Sequence, residues 1–355
     1  MSKYLNIHVL QSLPLNNVNR DDQGNVKTVS FGGALRQRVS SQCWKRAIKE
    51  YFSSVGIDSE KSSSLYPQII YDRSVAKGAS SKEAIEAISS IFSAKKKSLI
   101  DGWKEKGSVD DNYQSITKDG GKLKTKVQMF LSEKEVDLIV EAVIEGTSST
   151  IEKIIGDGVE RYGVIISLFG RMFADYETMD VNAASSFAHI FTTHECSQES
   201  DYFTLVDDLK GTKGAGHLNQ KSYSTGTFYR HIVLNVTEFE KLLEGTGLSV
   251  KDNASKFVEA CLKAFPTGSK NGMYANSVYD KVIVDVTESC PITMALAFET
   301  PIVSNDGYTE KSIDALKSYR DKTTYRGYDI VDSFESSDTQ AGSFKSLISF
   351  INKVC

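Results

Sequence analysis

The chain has no pair of cysteines in a C-x-x-C arrangement; Cys43, Cys196, Cys261, Cys290 and Cys355 are scattered and odd in number. That excludes a disulfide framework and an ordinary zinc site and leaves reduced, mostly core thiols. No apolar run approaches the ~18 residues of a membrane span, and Met1 to Leu10 lacks the charged start and long apolar core of a signal peptide. A cytoplasmic protein with no membrane partner is expected. No G-x-x-x-x-G-K-[ST], G-x-S-x-G or H-E-x-x-H string occurs, so phosphate-loop, hydrolase-elbow and zinc-protease chemistry lack their usual scaffolds. His189, His194, His217 and His231 never take a metal-ligand spacing with cysteines or carboxylates; each reads as structural or solvent-facing, and no metal or cofactor is expected.

A more local absence is informative. From Gln23 to Lys49 there is no Asp or Glu, while Lys27, Arg36, Arg38, Lys45, Arg46 and Lys49 all fall there, in a chain of 355 residues with formal net charge -4. Solvated surfaces normally intersperse both signs, so such a run suits a surface held against an anion; an ordinary basic strip is the other reading. The overall acidity, pI near 5.9, argues against indiscriminate coating of nucleic acid, because any polyanion must be bound locally.

The length and a 40% hydrophobic content allow one elaborated domain or a few smaller units. Tyr4 to Leu10 alternates, with Leu5, Ile7 and Val9 on one side, and predicts a half-buried strand whose other face is free for a ligand. A long connection rich in turn formers follows, from Leu15 to Gly33, before a helix near Ser40; loops of that length are usually functional. Helical patterns fill Ser81 to Gly107, Ser132 to Gly146 and Ser148 to Arg161. Val164 to Phe169, Ser186 to Thr193 and Phe228 to Val236 read as strands. A helix over Ser249 to Phe265, a strand over Val278 to Val286 and a helix near Ser312 to Lys322 complete the pattern. That order predicts an α+β ferredoxin-like core with long insertions.

In the Ser40 helix, Trp44, Ala47, Ile48, Tyr51 and Phe52 form an apolar stripe. The same periodicity gathers Gln42, Lys45, Arg46 and Lys49 away from it, with Ser40 or Ser41 as N-cap. A helix start offers unpaired N–H donors and about half a positive charge, so a phosphate there meets donors, dipole and ammonium groups together. Cations in a first turn oppose the dipole at about 0.3 to 1 kcal/mol each, which a bound anion offsets. A solvated amphipathic helix would show the same spacing.

Several strings in this order resemble one family. They are LNIHVL at the start, NRDD at Asn19 to Asp22, FGG at Phe31 to Gly33, RVSSQCWKRA at Arg38 to Ala47, GRM at Gly170 to Met172, FAHIFTTH at Phe187 to His194, DYFTLVDDL at Asp201 to Leu209 and GTFYRH from Gly226. Collinear over about Lys3 to Val236 and weaker beyond, they resemble CasC, the repeated backbone subunit of the type I-E CRISPR Cascade complex. The resemblance implies a hand-shaped α+β protein with a ferredoxin-like/RRM-like palm, a helical fingers insertion and a protruding β-hairpin thumb. Its implied boundaries are palm 1–60, fingers 61–162, palm strands 163–194, thumb 195–224 and completing palm 225–355.

The implied function is non-catalytic. Several copies line a CRISPR RNA (crRNA), hold its phosphates without regard to sequence and present its bases to a target DNA strand, the logic of RNA-guided effectors generally. The implied partners are further copies of the chain, the crRNA-processing endoribonuclease, the guide-end capping subunit and the large and small subunits. Guide-backbone contacts map onto Arg20, Lys27, Ser40, Gln42, Lys45 and Lys49, with Arg171 on the other flank. Phe203 and Met172 map onto apolar wedges that unstack base steps, at a few kcal/mol each, and leave the bases between them splayed for pairing.

The implied thumb is acidic, with Glu195, Glu199, Asp201, Asp207 and Asp208 before Lys210, so it suits wedging and contact with a neighbouring copy's basic segment more than charge-driven RNA binding. Two other readings remain at this level. Type III backbone subunits, similar in fold, cut RNA with an aspartate in the loop after the first strand, where Asp21 and Asp22 stand and could assist a Mg2+ ion. Asx-rich turns are also commonly just turns. A stand-alone RRM-like RNA-binding protein is the third.

Overall fold

The computed structural model of the chain describes residues 2–57, 60–94, 97–104, 107–118, 120–147, 149–156, 162–173, 176–206 and 215–355. These form two compact units, one from 1–57, 185–238 and 250–355, the other from 58–184 and 239–249.

In the first unit an antiparallel sheet runs in the order Asp332–Glu335, Lys281–Thr287, Tyr4–Asn16, Ala215–Asn235, Ile190–Thr192, Ala34–Val39, Thr28–Phe31. Ser185–Phe187 and Glu199–Val206 also pair with the long Ala215–Asn235 strand. Tyr4–Asn16 is central: Leu5 lies opposite Leu234 on one side and Val286 on the other.

The expectation of one free face on this strand fails. Leu5, Ile7 and Val9 are buried, and so are Asn6, His8 and Leu10. Leu10 packs in a cluster with Tyr229, Met294, Phe298 and Leu316, so the second face is covered by the Thr309–Tyr325 helix and the turn before it. The polar members of that face are bonded internally through one atom each: the Asn6 amide donates to Thr287 Oγ1 at 3.1 Å, and His8 Nδ1 meets the Tyr229 hydroxyl at 2.9 Å, while Asn6 Oδ1 and His8 Nε2 are buried without a hydrogen-bond partner among the described residues. Ligand access must therefore come from the helix side or from loops.

The Leu15 to Gly33 connection is also more ordered than its composition suggests. Thr28–Phe31 and Ala34–Val39 form a hairpin turning at Gly32 and Gly33, whose φ values are 59° and 77°. Two left-handed residues in a two-residue loop suit the twist of paired strands and favour glycine. At Gly32 a Cβ would lie 1.6 Å from the Glu299 carbonyl oxygen, so the hairpin tip abuts that turn with no room for a side chain.

The second unit is mainly helical, with Tyr66–Ala76, Ser81–Ile91 and Glu133–Ile144 packed on a core that includes Ile70, Ile88, Phe92, Ile139 and Val140. Ser132 and Glu135 close a reciprocal capping box at the start of Glu133–Ile144. Two sequence expectations change here. Ser81–Ile91 ends well before Gly107, giving way to short strands at Ser93–Ala94 and Lys97–Ser98. Val164–Phe169 is a helix, not a strand, because its ends are specified: the Glu60 carboxylate accepts from the Gly163 and Ile166 amides, and Gly170 at φ 69° terminates it. Residues 163–184, expected with the palm, accordingly belong to this unit.

Candidate nucleic-acid interface

The basic helix spans Ser41–Ser54, with Ser40 as N-cap and no acidic residue in its first turn. The Cys43 amide donates to Ser40 Oγ at 3.3 Å, and the Ser40 amide donates to Asn19 Oδ1 at 2.9 Å, which ties the helix start to the loop that carries Arg20. Trp44, Ala47, Ile48 and Phe52 are buried as the periodicity requires. Trp44 meets the Phe265 ring edge-on, and the Arg230 guanidinium lies 3.9 Å over its indole. Arg230 is itself buried, donates to Gln11 Oε1 and to the Cys261 carbonyl, and burial brings its pKa down to about 9. This packing fixes the helix's rotation, and with it the face that carries Gln42, Lys45 and Lys49.

The six cations of the basic run divide into different roles. Arg36 is fully buried and donates to the Thr192 and Phe298 carbonyls, so it staples the hairpin to the unit's interior and offers nothing to a ligand. Arg46 is exposed and pairs with Glu50 at 2.8 Å. Lys45 is half-buried, its ammonium 5.3 Å from the Phe187 ring, and burial lowers its pKa. Lys49 is half-buried one turn further on, and Gln42 is exposed. The Lys27 amide donates to the Asn19 carbonyl at 2.9 Å, and its own carbonyl accepts from the Arg38 amide at 2.7 Å. Hydrogen bonds therefore tie loop, hairpin and helix start together, with Arg20 and Lys27 in the segment joined to the Ser40 cap, and Gln42, Lys45 and Lys49 follow at helical spacing on the capped helix.

Arg20 is exposed and also lines an open cavity of about 580 Å³ with Asp201, Phe203, Lys221, Ser269 and Lys270. Phe203 is half-buried opposite Asn219 in the ribbon made by Glu199–Val206 and the long strand, and the Lys221 ammonium lies 4.7 Å from its ring. The Thr267 to Met273 loop is pressed onto the N-terminal loop: a Cβ at Gly268 would lie 2.2 Å from the Val18 carbonyl oxygen. Lys221 and Lys270 escaped the sequence reading, although Thr267-Gly268-Ser269-Lys270-Asn271-Gly272 is a polar, glycine-bearing turn of the kind that carries ligand contacts. Asp207, Asp208 and Lys210 lie outside the described residues, as does the side chain of His217.

Arg171 stands differently from the sequence expectation. Its guanidinium lies inside the second unit, bonded to both Glu135 carboxylate oxygens at 2.7 Å and donating through Nε to the Met179 carbonyl. Side-chain exposures of 2% and 0% leave no approach for a phosphate, so Arg171 is a structural charge. Its neighbour Met172 is 81% exposed.

Asp21 Oδ1 accepts from the Gln23 and Asn25 amides at 2.9 and 2.8 Å, closing an Asx turn, and Asp22 is exposed. Among the described residues no three His, Cys, Asp or Glu side chains are grouped to hold a metal. His231 is buried against His8 with ring centroids 4.7 Å apart; His194 Nε2 accepts from the Thr227 amide and its ring stacks on Tyr308; His189 is exposed beside Arg38.

The family model described as CT1975-like protein matches residues 5–346. Among solved structures, a chain of a "CRISPR RNA-guided surveillance complex, pre-nicking" superposes with a TM-score of 0.82 at 29% identity, covering 99% of both chains. A chain of a "CRISPR RNA-guided surveillance complex" gives a TM-score of 0.73 at 24% identity over 99% of this chain and 100% of that one, a likeness of fold. No curated protein matches the sequence.

Proposed function

Because the chain belongs to the CT1975-like protein family, we propose that it is a non-catalytic backbone subunit of a CRISPR RNA-guided surveillance complex of the type I-E Cascade kind. In this reading several copies bind the crRNA phosphates without regard to base sequence and hold the bases open for a target DNA strand. The observation that carries it is that the loop holding Arg20 and Lys27 is hydrogen-bonded to the Ser40-capped start of the helix that carries Gln42, Lys45 and Lys49.

That surface suits phosphate by its chemistry. Cations and helix-start amides donate and carry no pattern that distinguishes one base from another, so the contact is to backbone. Phe203, beside the cationic cavity, and the exposed Met172 are the proposed wedges at kinked nucleotides. Further copies of the chain and the crRNA-processing, capping, large and small subunits are the proposed protein partners. The cleavage reading through Asp21 loses ground because one of its oxygens is committed to two turn amides.

Lys45→Ala and Lys49→Ala are expected to weaken binding of single-stranded RNA about equally across sequences. Each should lower the slope of log K against log salt by about 0.7, the release expected per single-strand phosphate contact. A loss confined to one base composition, or an unchanged slope, would refute the reading. Incubating the guide-loaded complex with complementary RNA and Mg2+ addresses cleavage: evenly spaced cuts that vanish in Asp21→Ala or Asp22→Ala would replace the binding-only reading.

A further inference from the structure

Arg38 lies in the Ala34–Val39 strand, opposite Phe191, and its Nη1 is 3.1 Å from Nδ1 of His189. A guanidinium can only donate, so Nδ1 must be the acceptor and the ring must be neutral with its proton on Nε2. A charged donor beside an exposed imidazole is an unusual arrangement for a protein surface, where arginine normally turns to a carboxylate. Here the charges that act on His189, among the described residues, are Arg38 and Lys27. The Lys45 ammonium lies over the ring of Phe187, two residues before His189 in the chain. The imidazole thus replaces the carboxylate: it orients the guanidinium without neutralising it, and the full positive charge of Arg38 stays available beside Lys27.

We propose that Arg38 is a further phosphate-binding residue of this surface and that His189 is its positioning residue, holding the guanidinium fork as a neutral hydrogen-bond acceptor. The inference rests on the phosphate-binding reading above and adds to it a proton-linked element. Burial and the two neighbouring cations hold the His189 pKa below its ordinary 6.5. At neutral pH the ring therefore accepts and Arg38 is held in place. Once protonated, Nδ1 becomes a donor and sets a second positive charge against Arg38, so the clamp opens as pH falls through the imidazole pKa.

The test uses the full-length chain and a fluorescently labelled synthetic single-stranded RNA of mixed sequence, with anisotropy titrations over a salt series at pH 7.5 and pH 5.5. Arg38→Ala should weaken binding about tenfold, as loss of a charge-assisted contact does, and reduce the salt slope by about 0.7. His189→Leu should match that loss. His189→Gln keeps an acceptor that cannot be protonated, so it should retain wild-type affinity at pH 7.5 and show a smaller loss than wild type at pH 5.5.

Lys45→Ala, measured alongside, separates the two levels. If it leaves affinity unchanged, the phosphate surface itself is misassigned. If it weakens binding while Arg38→Ala and His189→Leu do not, the Arg38–His189 assignment alone is overturned. Stronger wild-type binding at pH 5.5 than His189→Gln shows would also overturn the positioning role, because it would make His189 a direct cationic contact.

Discussion

Arg171→Met separates a structural charge from a ligand contact. The side chain it removes is buried between the Tyr162 and Phe173 rings, 5.2 and 5.1 Å from its guanidinium carbon, and is bonded to a carboxylate with no exposed surface. Methionine fills much of the same volume, so the cavity left is small and the cost is mainly electrostatic: Glu135 keeps a charge with neither water nor counterion. Leaving one member of a buried pair alone typically costs about 3 to 5 kcal/mol. Glu135 retains one bond, because its Oε2 accepts from the Ser132 amide at 2.9 Å, which places the expected cost near the lower figure, about 3 kcal/mol. The double variant Arg171→Met/Glu135→Leu should recover most of it, falling short by about 1 kcal/mol for the broken capping box. Urea denaturation of the four proteins of the cycle gives these numbers directly. A single-variant cost under about 1 kcal/mol, or weaker RNA binding in Arg171→Met at unchanged stability, would return Arg171 to the phosphate surface.

Two stability predictions concern the first unit. His231 is buried and its pKa is held down to about 4, while His8 beside it is lowered as well, so both are neutral in the fold. The unfolded chain binds these protons more readily, so the stability from neutral burial is complete above about pH 6.5 and is lost as pH falls toward 4; for His231 the loss amounts to about 3 kcal/mol. His231→Phe should flatten urea midpoints measured between those pH values, and an unchanged pH slope would count against the assignment. Gly32→Ala should cost more than the ~1 kcal/mol of a simple left-handed penalty, because the methyl group meets the Glu299 carbonyl; a thermal midpoint equal to wild type would show that the hairpin tip yields.

Periodicity made the elements with clear faces legible. The Ser41–Ser54 helix, its buried stripe and its Ser40 cap follow from apolar spacing and one hydroxyl, and Val250–Lys263 and Thr309–Tyr325 lie where their patterns put them. What the sequence hid depends on long-range context. Asn6 and His8 look like a solvent face, yet they are buried because Thr287 and Tyr229 supply their hydrogen bonds from distant strands. Val164 to Phe169 has the residues of a strand, and a carboxylate about a hundred positions earlier makes it a helix. The first strand and turn of the 28–39 hairpin fall inside the Leu15 to Gly33 connection, where glycine and polar residues mask a hairpin whose tip packs against Glu299.

The same distinction governs the charges, and it decides how much of the interface sequence alone could supply. Lys27, Arg36, Arg38, Lys45, Arg46 and Lys49 are equivalent by composition, but their backbone positions give them different counterparts. Arg36 faces inward onto carbonyls, Arg46 finds Glu50 one turn on, and Arg38 finds an imidazole. Carbonyls and an imidazole satisfy donors without cancelling charge, whereas a carboxylate cancels it. Arg46 is the cation whose charge meets a carboxylate, Glu50 at 2.8 Å, whereas Arg36 and Arg38 meet neutral acceptors. Arg38, held by an imidazole, keeps its positive charge in a chain of net charge -4, which is the property the proposed sequence-blind hold on a phosphate backbone requires.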